Sequence, residues 1–214
     1  MGGELAKIGQ MRQRWSKGGR VMTFRVTLIS AAALALAACS GDMNGNSGER
    51  EVGLDRATAF RELVGQTSDS GQFTKVSTGS TTKYESEMSR SDPRWYSTVS
   101  SEMAFAQTYK VIVDADEPKG IVVTTQINGD DIASTVRLTL EDLSGTRTRI
   151  RYEITPATGP KAINFGEFVD SCQLAGVLAS LGKLNPSLSD AEKAEESAAL
   201  DHCTTAGKKL PKNG

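Results

Sequence analysis

Few side chains in this 214-residue sequence suit nucleophilic, redox or metal chemistry: there are three cysteines and one histidine. His202 adjoins Cys203, but adjacent residues of a helix point in different directions, so a cysteine–histidine nucleophilic pair is not expected. One thiolate and one imidazole also fall short of a zinc ligand set. The sequence has no Gly-x-Ser-x-Gly, no His-Glu-x-x-His and no phosphate-binding glycine loop. We therefore predict no catalytic residue, no metal site and no cofactor, and a surface position for His202.

Cys172 and Cys203 have a structural use if the chain is exported, because disulfides persist in oxidising compartments. Each cysteine falls in its own predicted C-terminal helix, so a bond between them would join a helical hairpin. A redox-active pair is the alternative, but such pairs favour close spacing such as Cys-x-x-Cys, which these residues lack. The sequence therefore predicts a structural disulfide.

A row of arginines forms the only other candidate site. Arginines spaced by two residues share one face of a strand, and an arginine of the neighbouring strand can join them. The row consists of Arg137, Arg147, Arg149 and Arg151. It could hold an anionic head group or the acidic surface of a partner. The alternative, which we favour, is a solvated face balanced by Glu141 and Glu153 across the hairpin.

The N-terminal region resembles a targeting sequence for export. An apolar run over residues 26–38 follows a basic segment, and at about 13 residues it is too short to span a bilayer of roughly 30 Å as a helix. The run ends in Leu36-Ala37-Ala38-Cys39, which resembles the lipobox of bacterial lipoproteins. That resemblance implies acylation of Cys39, cleavage before it, and a membrane anchor. An ordinary signal peptide with a chance cysteine, or a buried apolar helix, is the alternative.

Several expectations follow from this resemblance. The signal peptide covers residues 1–38 and has a natural start at Met22. By the sorting pattern of enteric bacteria, Ser40 implies the outer membrane of a Gram-negative envelope, with the domain in the periplasm; the inner membrane is the alternative. Residues 39–52, rich in glycine and small polar residues, form a lipidated cysteine and flexible tether, and residues 53–214 form one globular domain.

Charge limits the partners of the mature chain. The first 38 residues hold six of the 25 Lys and Arg but one of the 26 Asp and Glu, so residues 39–214 carry 19 basic and 25 acidic residues, a formal net charge of −6. This argues against nucleic acid and against anionic lipid as a bulk partner.

Hydrophobic periodicity predicts an α+β domain. Residues 54–64 read as an amphipathic helix that stops at Gly65, while residues 83–88 and 95–106 are weaker strand candidates. Between residues 108 and 155 the period is two, with turns that include Asn128-Gly129, and it predicts four consecutive antiparallel strands. From Asn164, a proposed helix cap, the period becomes 3.6. A second helix begins at a capping box at Ser189.

The order of these elements resembles that of helix-grip domains, the START-like and polyketide-cyclase-like superfamily. Residues 52–63 and 136–150 carry the local resemblance. The implied fold is an antiparallel meander of four to six strands packed on a long C-terminal helix, with an N-terminal helix and a disulfide-stapled C-terminal hairpin. Two functions stay open: an envelope structural, assembly or interaction protein, which we favour, or a carrier with an apolar cavity for a hydrophobic ligand. An enzyme is third.

Overall fold

Alternating apolar and polar residues build a sheet, and one long helix with an apolar stripe covers its inner face. The computed structural model describes residues 47–68, 73–78, 81–95, 103, 105–185 and 187–211. Its elements are β1 (Ser47–Val52), α1 (Arg56–Ser68), β2 (Thr74–Thr78), β3 (Thr81–Ser89), β4 (Thr108–Asp116), β5 (Gly120–Ile127), β6 (Ile132–Asp142), β7 (Thr148–Thr158), α2 (Ala162–Gly182) and α3 (Asp190–Lys208).

The seven strands form one antiparallel sheet in the order β1-β7-β6-β5-β4-β3-β2. Strands β4 to β7 are the predicted meander, and each pairs with the next along the chain. Asn128 and Gly129 both have positive φ, 49° and 66°, as the short turn between β5 and β6 requires. The α+β class and the meander are thus confirmed.

Seven strands replace the predicted four to six, because both edge strands lack an apolar alternation. β1 lies inside residues 39–52, which we assigned to the tether; it pairs along its whole length with β7 and buries Arg50 and Val52. β2 pairs with β3 and is rich in serine and threonine. A first strand over Ser47–Val52 therefore belongs to the sheet, in a stretch predicted to be a tether.

Three local boundaries also differ. α1 continues through Gly65 to Ser68, since glycine weakens a helix without ending it when the helix is packed. The described residues between 95 and 106 form no strand, although Trp95 is buried in the core. α2 begins before Asn164, at Ala162, because the backbone N–H of Lys161 donates to Asp131 and turns the chain earlier.

The core lies between the inner face of the sheet and the helices. The predicted apolar stripe of α2 is confirmed, with every member buried: Phe165, Phe168, Val169, Cys172, Val177, Leu178 and Leu181. The Phe105 and Phe165 rings pack with centroids 4.1 Å apart. α3 packs on α2, and its predicted capping box at Ser189 is present in full. The outer face of the sheet is left to solvent and to charged side chains.

Candidate functional site

The predicted disulfide is present. The sulfur atoms of Cys172 in α2 and Cys203 in α3 are bonded, and both residues are buried. This bond staples the last two helices together, as the sequence indicated. His202, next to it, is exposed.

A second link between α3 and the rest of the domain is a fully buried arginine that sequence reasoning missed. The side chain of Arg50 in β1 is 0% exposed, and its nitrogens face three carboxylates at the start of α3. The nearest N···O distances are 3.5 Å to Glu192, 3.1 Å to Glu195 and 3.8 Å to Glu196. We call these four residues the Arg50 cluster. The cluster fixes α3 over the β1 edge of the sheet.

Local structure places each acid. Glu192 is held by the capping box, where its carboxylate accepts the backbone N–H of Ser189. Burial opposes its ionisation, but Ser189 and Arg50 outweigh burial and hold its pKa below the usual value. Glu196 lies against Gly182 at the end of α2, where a Cβ atom would collide with the carboxylate. Burial, together with the charges of Glu192 and Glu195, raises the pKa of Glu196 in spite of Arg50.

The Arg50 cluster is a structural site because water cannot reach its centre. One positive charge faces three carboxylates, so the ionised cluster carries a net charge of −2. Among the described residues, Nε and Nη1 of Arg50 and Oε1 of Glu196 have no hydrogen-bond partner. Burying charges that are incompletely paired costs free energy, and removing one charge from such a group costs more because its partners stay buried. Its stabilising role depends on all four groups staying together.

The predicted arginine row lies on the outer face of the sheet and is largely neutralised. Arg149 Nη2 donates to Glu51 Oε1 at 2.9 Å and lies near two further carboxylates, Glu49 at 3.6 Å and Glu141 at 3.8 Å. The hydrogen bond to Glu51 is the main cause of the raised pKa of Arg149. Arg149 is therefore already occupied by side chains of this protein.

Its two neighbours in the row are paired as well. Arg151 contacts Glu49 at 3.0 Å and Glu141 at 3.2 Å, and Arg147 contacts Glu51. The expected role of Glu141 is confirmed, while Glu153 makes no ion pair among the described residues. Glu49 and Glu51 were not predicted as partners because both lie in the stretch predicted to be a tether.

The fourth arginine, Arg137, stands apart from this network. In the part of the chain that the structure describes, no carboxylate oxygen lies within 4.0 Å of its guanidinium. It lines an open depression of about 490 Å³ on the outer face, formed with Ser47, Gly48, Glu49, Thr139, Arg151, Tyr152 and Glu153. We call this feature the Arg137 depression. Arg137 and Arg151 thus meet at one site, whereas Arg147 and Arg149 do not line it.

A polar row crosses the inner face of the sheet away from the Arg50 cluster. The hydroxyl of Ser134 lies 3.3 Å from Asp170 and 2.9 Å from Gln173, both on α2. On the adjacent strand Thr125 pairs in register with Ser134, and two strands further lies Ser86. Ser86 is 2% exposed, and its Oγ has no hydrogen-bond partner among the described residues.

Asp170 is fixed by an irregularity in the sheet. The register of β6 and β7 shifts near Ala133 and leaves an extra residue in β7. The N–H of Ala157 there donates to both carboxylate oxygens of Asp170, at 2.9 and 3.1 Å. Burial nevertheless raises the pKa of Asp170.

Replacing Asp170 with asparagine should change how stability depends on pH. A carboxyl whose folded-state pKa is raised stabilises the fold most at low pH, and this contribution is lost as pH rises through the folded-state pKa. Asparagine keeps an oxygen for the N–H of Ala157 but does not titrate. We therefore expect the stability of Asp170→Asn relative to wild type to rise between pH 4 and pH 7 in urea unfolding. The exposed Asp201→Asn is the control, and a difference that stays constant with pH would contradict the prediction.

Two further properties concern the described residues only. Within those ranges, no three His, Cys, Asp or Glu side chains are grouped as a metal ion requires. None of the helices there has the length and apolar character needed to cross a bilayer. Cys39 lies outside the described residues, so the lipid anchor stays a prediction.

Comparison with known proteins finds weak structural similarity. No family profile and no curated protein matches the sequence. Among solved structures, a Bordetella parapertussis protein aligns with a TM-score of 0.47 and 10% identity over 86% of this chain and 95% of its own. Dicamba monooxygenase aligns at 0.41 and 8% over 78% of this chain, which spans 57% of the monooxygenase chain. The Zhui aromatase/cyclase from Streptomyces aligns at 0.33 and 12%, over 75% and 86%.

These likenesses transfer no activity, because identities of 12% or less with TM-scores below 0.5 are too weak. The strand order and helix packing of this protein support the description of its fold as helix-grip-like. Its antiparallel sheet places β1 beside β7 and packs its inner face on the long helix α2. The departure from that pattern is α3, which is bonded to α2 and held by the Arg50 cluster.

Proposed function

We propose that this protein is a lipoprotein of the Gram-negative cell envelope, anchored through Cys39 in the outer membrane, and that its domain acts without catalysis as an interaction or assembly module. The observation that carries the interaction role is the outer face of β1, β7 and β6. Glu49, Glu51 and Glu141 hold three arginines there in a fixed pattern of opposite charges. A rigid, charge-patterned face selects partners by complementarity.

Export is supported by the disulfide. A buried Cys172–Cys203 bond suits an oxidising compartment such as the periplasm. The lipobox at Cys39 supplies the proposed anchor, since stable membrane attachment needs two or more acyl chains. The inner membrane is the alternative location.

Acylation is tested by replacing Cys39. In cells given labelled palmitate, we expect the wild-type protein to carry the label and to sediment with the outer membrane. Cys39→Ser should carry no label and lose membrane attachment. Ser40→Ala, which leaves the thiol in place, is the matched control for acylation. An unlabelled wild-type protein, or a Cys39→Ser protein that still sediments with membranes, would show that the anchor is wrong.

The interaction role is tested by chemical crosslinking in intact cells. We expect specific crosslinked protein partners, and we expect Arg149→Glu to remove at least one of them because it reverses a charge in the fixed pattern. Lys83→Glu, on the outer face near the opposite edge, is the matched control. Identical crosslinks in wild type and Arg149→Glu would contradict recognition by this face.

A carrier of a hydrophobic ligand is the second candidate, and the polar row of the inner face favours it. Among the described residues the buried hydroxyl of Ser86 has no hydrogen-bond partner, as expected of a group that meets the polar end of a ligand. Native mass spectrometry of protein purified gently from its own periplasm separates the two functions. A retained small mass that is lost in Ser86→Val would support the carrier, whereas a bare mass in the wild type would contradict it.

A further inference from the structure

Arg137 and Glu153 face each other across β6 and β7 without forming an ion pair. Their Cα atoms are register partners and both side chains are exposed, yet among the described residues neither belongs to an ion pair. Elsewhere on this face the arginines close onto glutamates at about 3 Å. A cation and an anion therefore lie side by side in the Arg137 depression, and neither forms an ion pair with another described side chain.

The Arg137 depression opens to solvent and has polar side chains in its wall. Ser47 and Thr139 add hydroxyl groups to its wall, and Glu49 adds a second carboxylate. Its volume of about 490 Å³ suits a small polar group. A group that carries both a negative and a positive charge could pair with both residues. Its negative charge would lie toward Arg137 and its positive charge toward Glu153.

The depression lies close in sequence to the proposed membrane anchor, so a membrane lipid could supply such a group. Ser47, the first residue of β1, lines the depression. Only residues 40–46 separate it from Cys39. Eight chain steps reach at most about 28 Å and average roughly 15 Å in a flexible chain. The depression would therefore lie within reach of the head groups of the anchoring membrane.

We propose that the Arg137 depression binds the phosphoethanolamine head group of a membrane phospholipid, with the phosphate on Arg137 and the ammonium on Glu153. The acyl chains stay in the bilayer. A head group without net charge also suits a mature chain whose formal net charge is −6, which an anionic surface would repel. The inference rests on the proposed membrane anchor, since the anchor supplies the proximity.

The test uses the chain of residues 39–214 with serine in place of Cys39, which retains every described residue and lacks acyl chains. Flotation with vesicles measures its partition. We expect stronger binding to vesicles of equal phosphatidylethanolamine and phosphatidylcholine than to phosphatidylcholine alone, because a quaternary amine cannot donate hydrogen bonds to Glu153. Arg137→Ala should weaken this binding about tenfold, the effect of one charge-assisted hydrogen bond. Arg147→Ala, outside the depression, should bind as the parent does.

Competition identifies the chemistry. Soluble glycerophosphoethanolamine should displace the vesicles, and inorganic phosphate at the same concentration should not. Equal binding to the two vesicle types, unchanged binding by Arg137→Ala, or equal displacement by phosphate would each overturn the proposal. So would binding only to phosphatidylglycerol vesicles. Because this chain is not acylated, the result is independent of the palmitate experiment: head-group binding can fail while acylation of Cys39 stands, and the reverse.

Discussion

Arg50→Met should lower the free energy of unfolding by about 3 to 5 kcal/mol, the usual cost of removing one partner from a buried ion pair. Methionine fills much of the space but leaves Glu192, Glu195 and Glu196 near one another without a cation. Two of these side chains are no more than 24% exposed, so water screens their repulsion poorly. Urea unfolding at pH 7, followed by circular dichroism, measures the loss.

Two companion variants separate charge from packing. Adding Glu195→Gln and Glu196→Gln to Arg50→Met should recover at least half of the lost stability, because the repulsion is removed while Glu192 keeps its cap. Arg61→Met on the exposed side of α1 should change stability by less than about 0.5 kcal/mol. If Arg50→Met costs no more than Arg61→Met, the Arg50 cluster does not hold α3 in place.

The contrast between the meander and β1 shows what the sequence could and could not predict. β4 to β7 have regular alternation of apolar and polar residues, and that period alone predicts their pairing and their faces. β1 contains one apolar residue, Val52, and its central buried residue is an arginine. Arginine is rarely buried unless it is paired. Its partners lie more than 140 positions away, so no local pattern could reveal them.

The candidate site divides in the same way. Cysteine count and the predicted compartment were enough to predict the Cys172–Cys203 disulfide. Strand period correctly placed Arg147, Arg149 and Arg151 on one face, but their principal carboxylates come from β1, and a strand assigned to a tether supplies no partners. Arg137 lies outside that network because of how side chains of neighbouring strands meet. The two-residue period of a strand does not predict those contacts.

Replacing both Cys172 and Cys203 with alanine should lower the free energy of unfolding by about 3 to 4 kcal/mol, the value that the chain-entropy model gives for their separation of 31 residues. Alanine is used because a serine hydroxyl at these buried positions would add its own desolvation cost. Chemical denaturation of the variant and of the reduced wild type should give similar midpoints. Wild type that is equally stable before and after reduction would show that the bond contributes nothing to stability.

The loss of the disulfide should also couple to the loss of Arg50, because both act through the docking of α3. Cys203 lies seven residues beyond Glu196, about 10 Å along the helix, so the two contacts hold different parts of one element. Once either is removed, local undocking of α3 becomes easier, and the second then has less of the docked state to stabilise. We therefore expect Arg50→Met to cost at least 1 kcal/mol less in the double-alanine background than in the wild type, within the usual range for coupled residues. Hydrogen exchange should quicken in α3 and stay slow in β4 to β6, whereas additive costs with uniform exchange would mean that α3 does not undock as a unit.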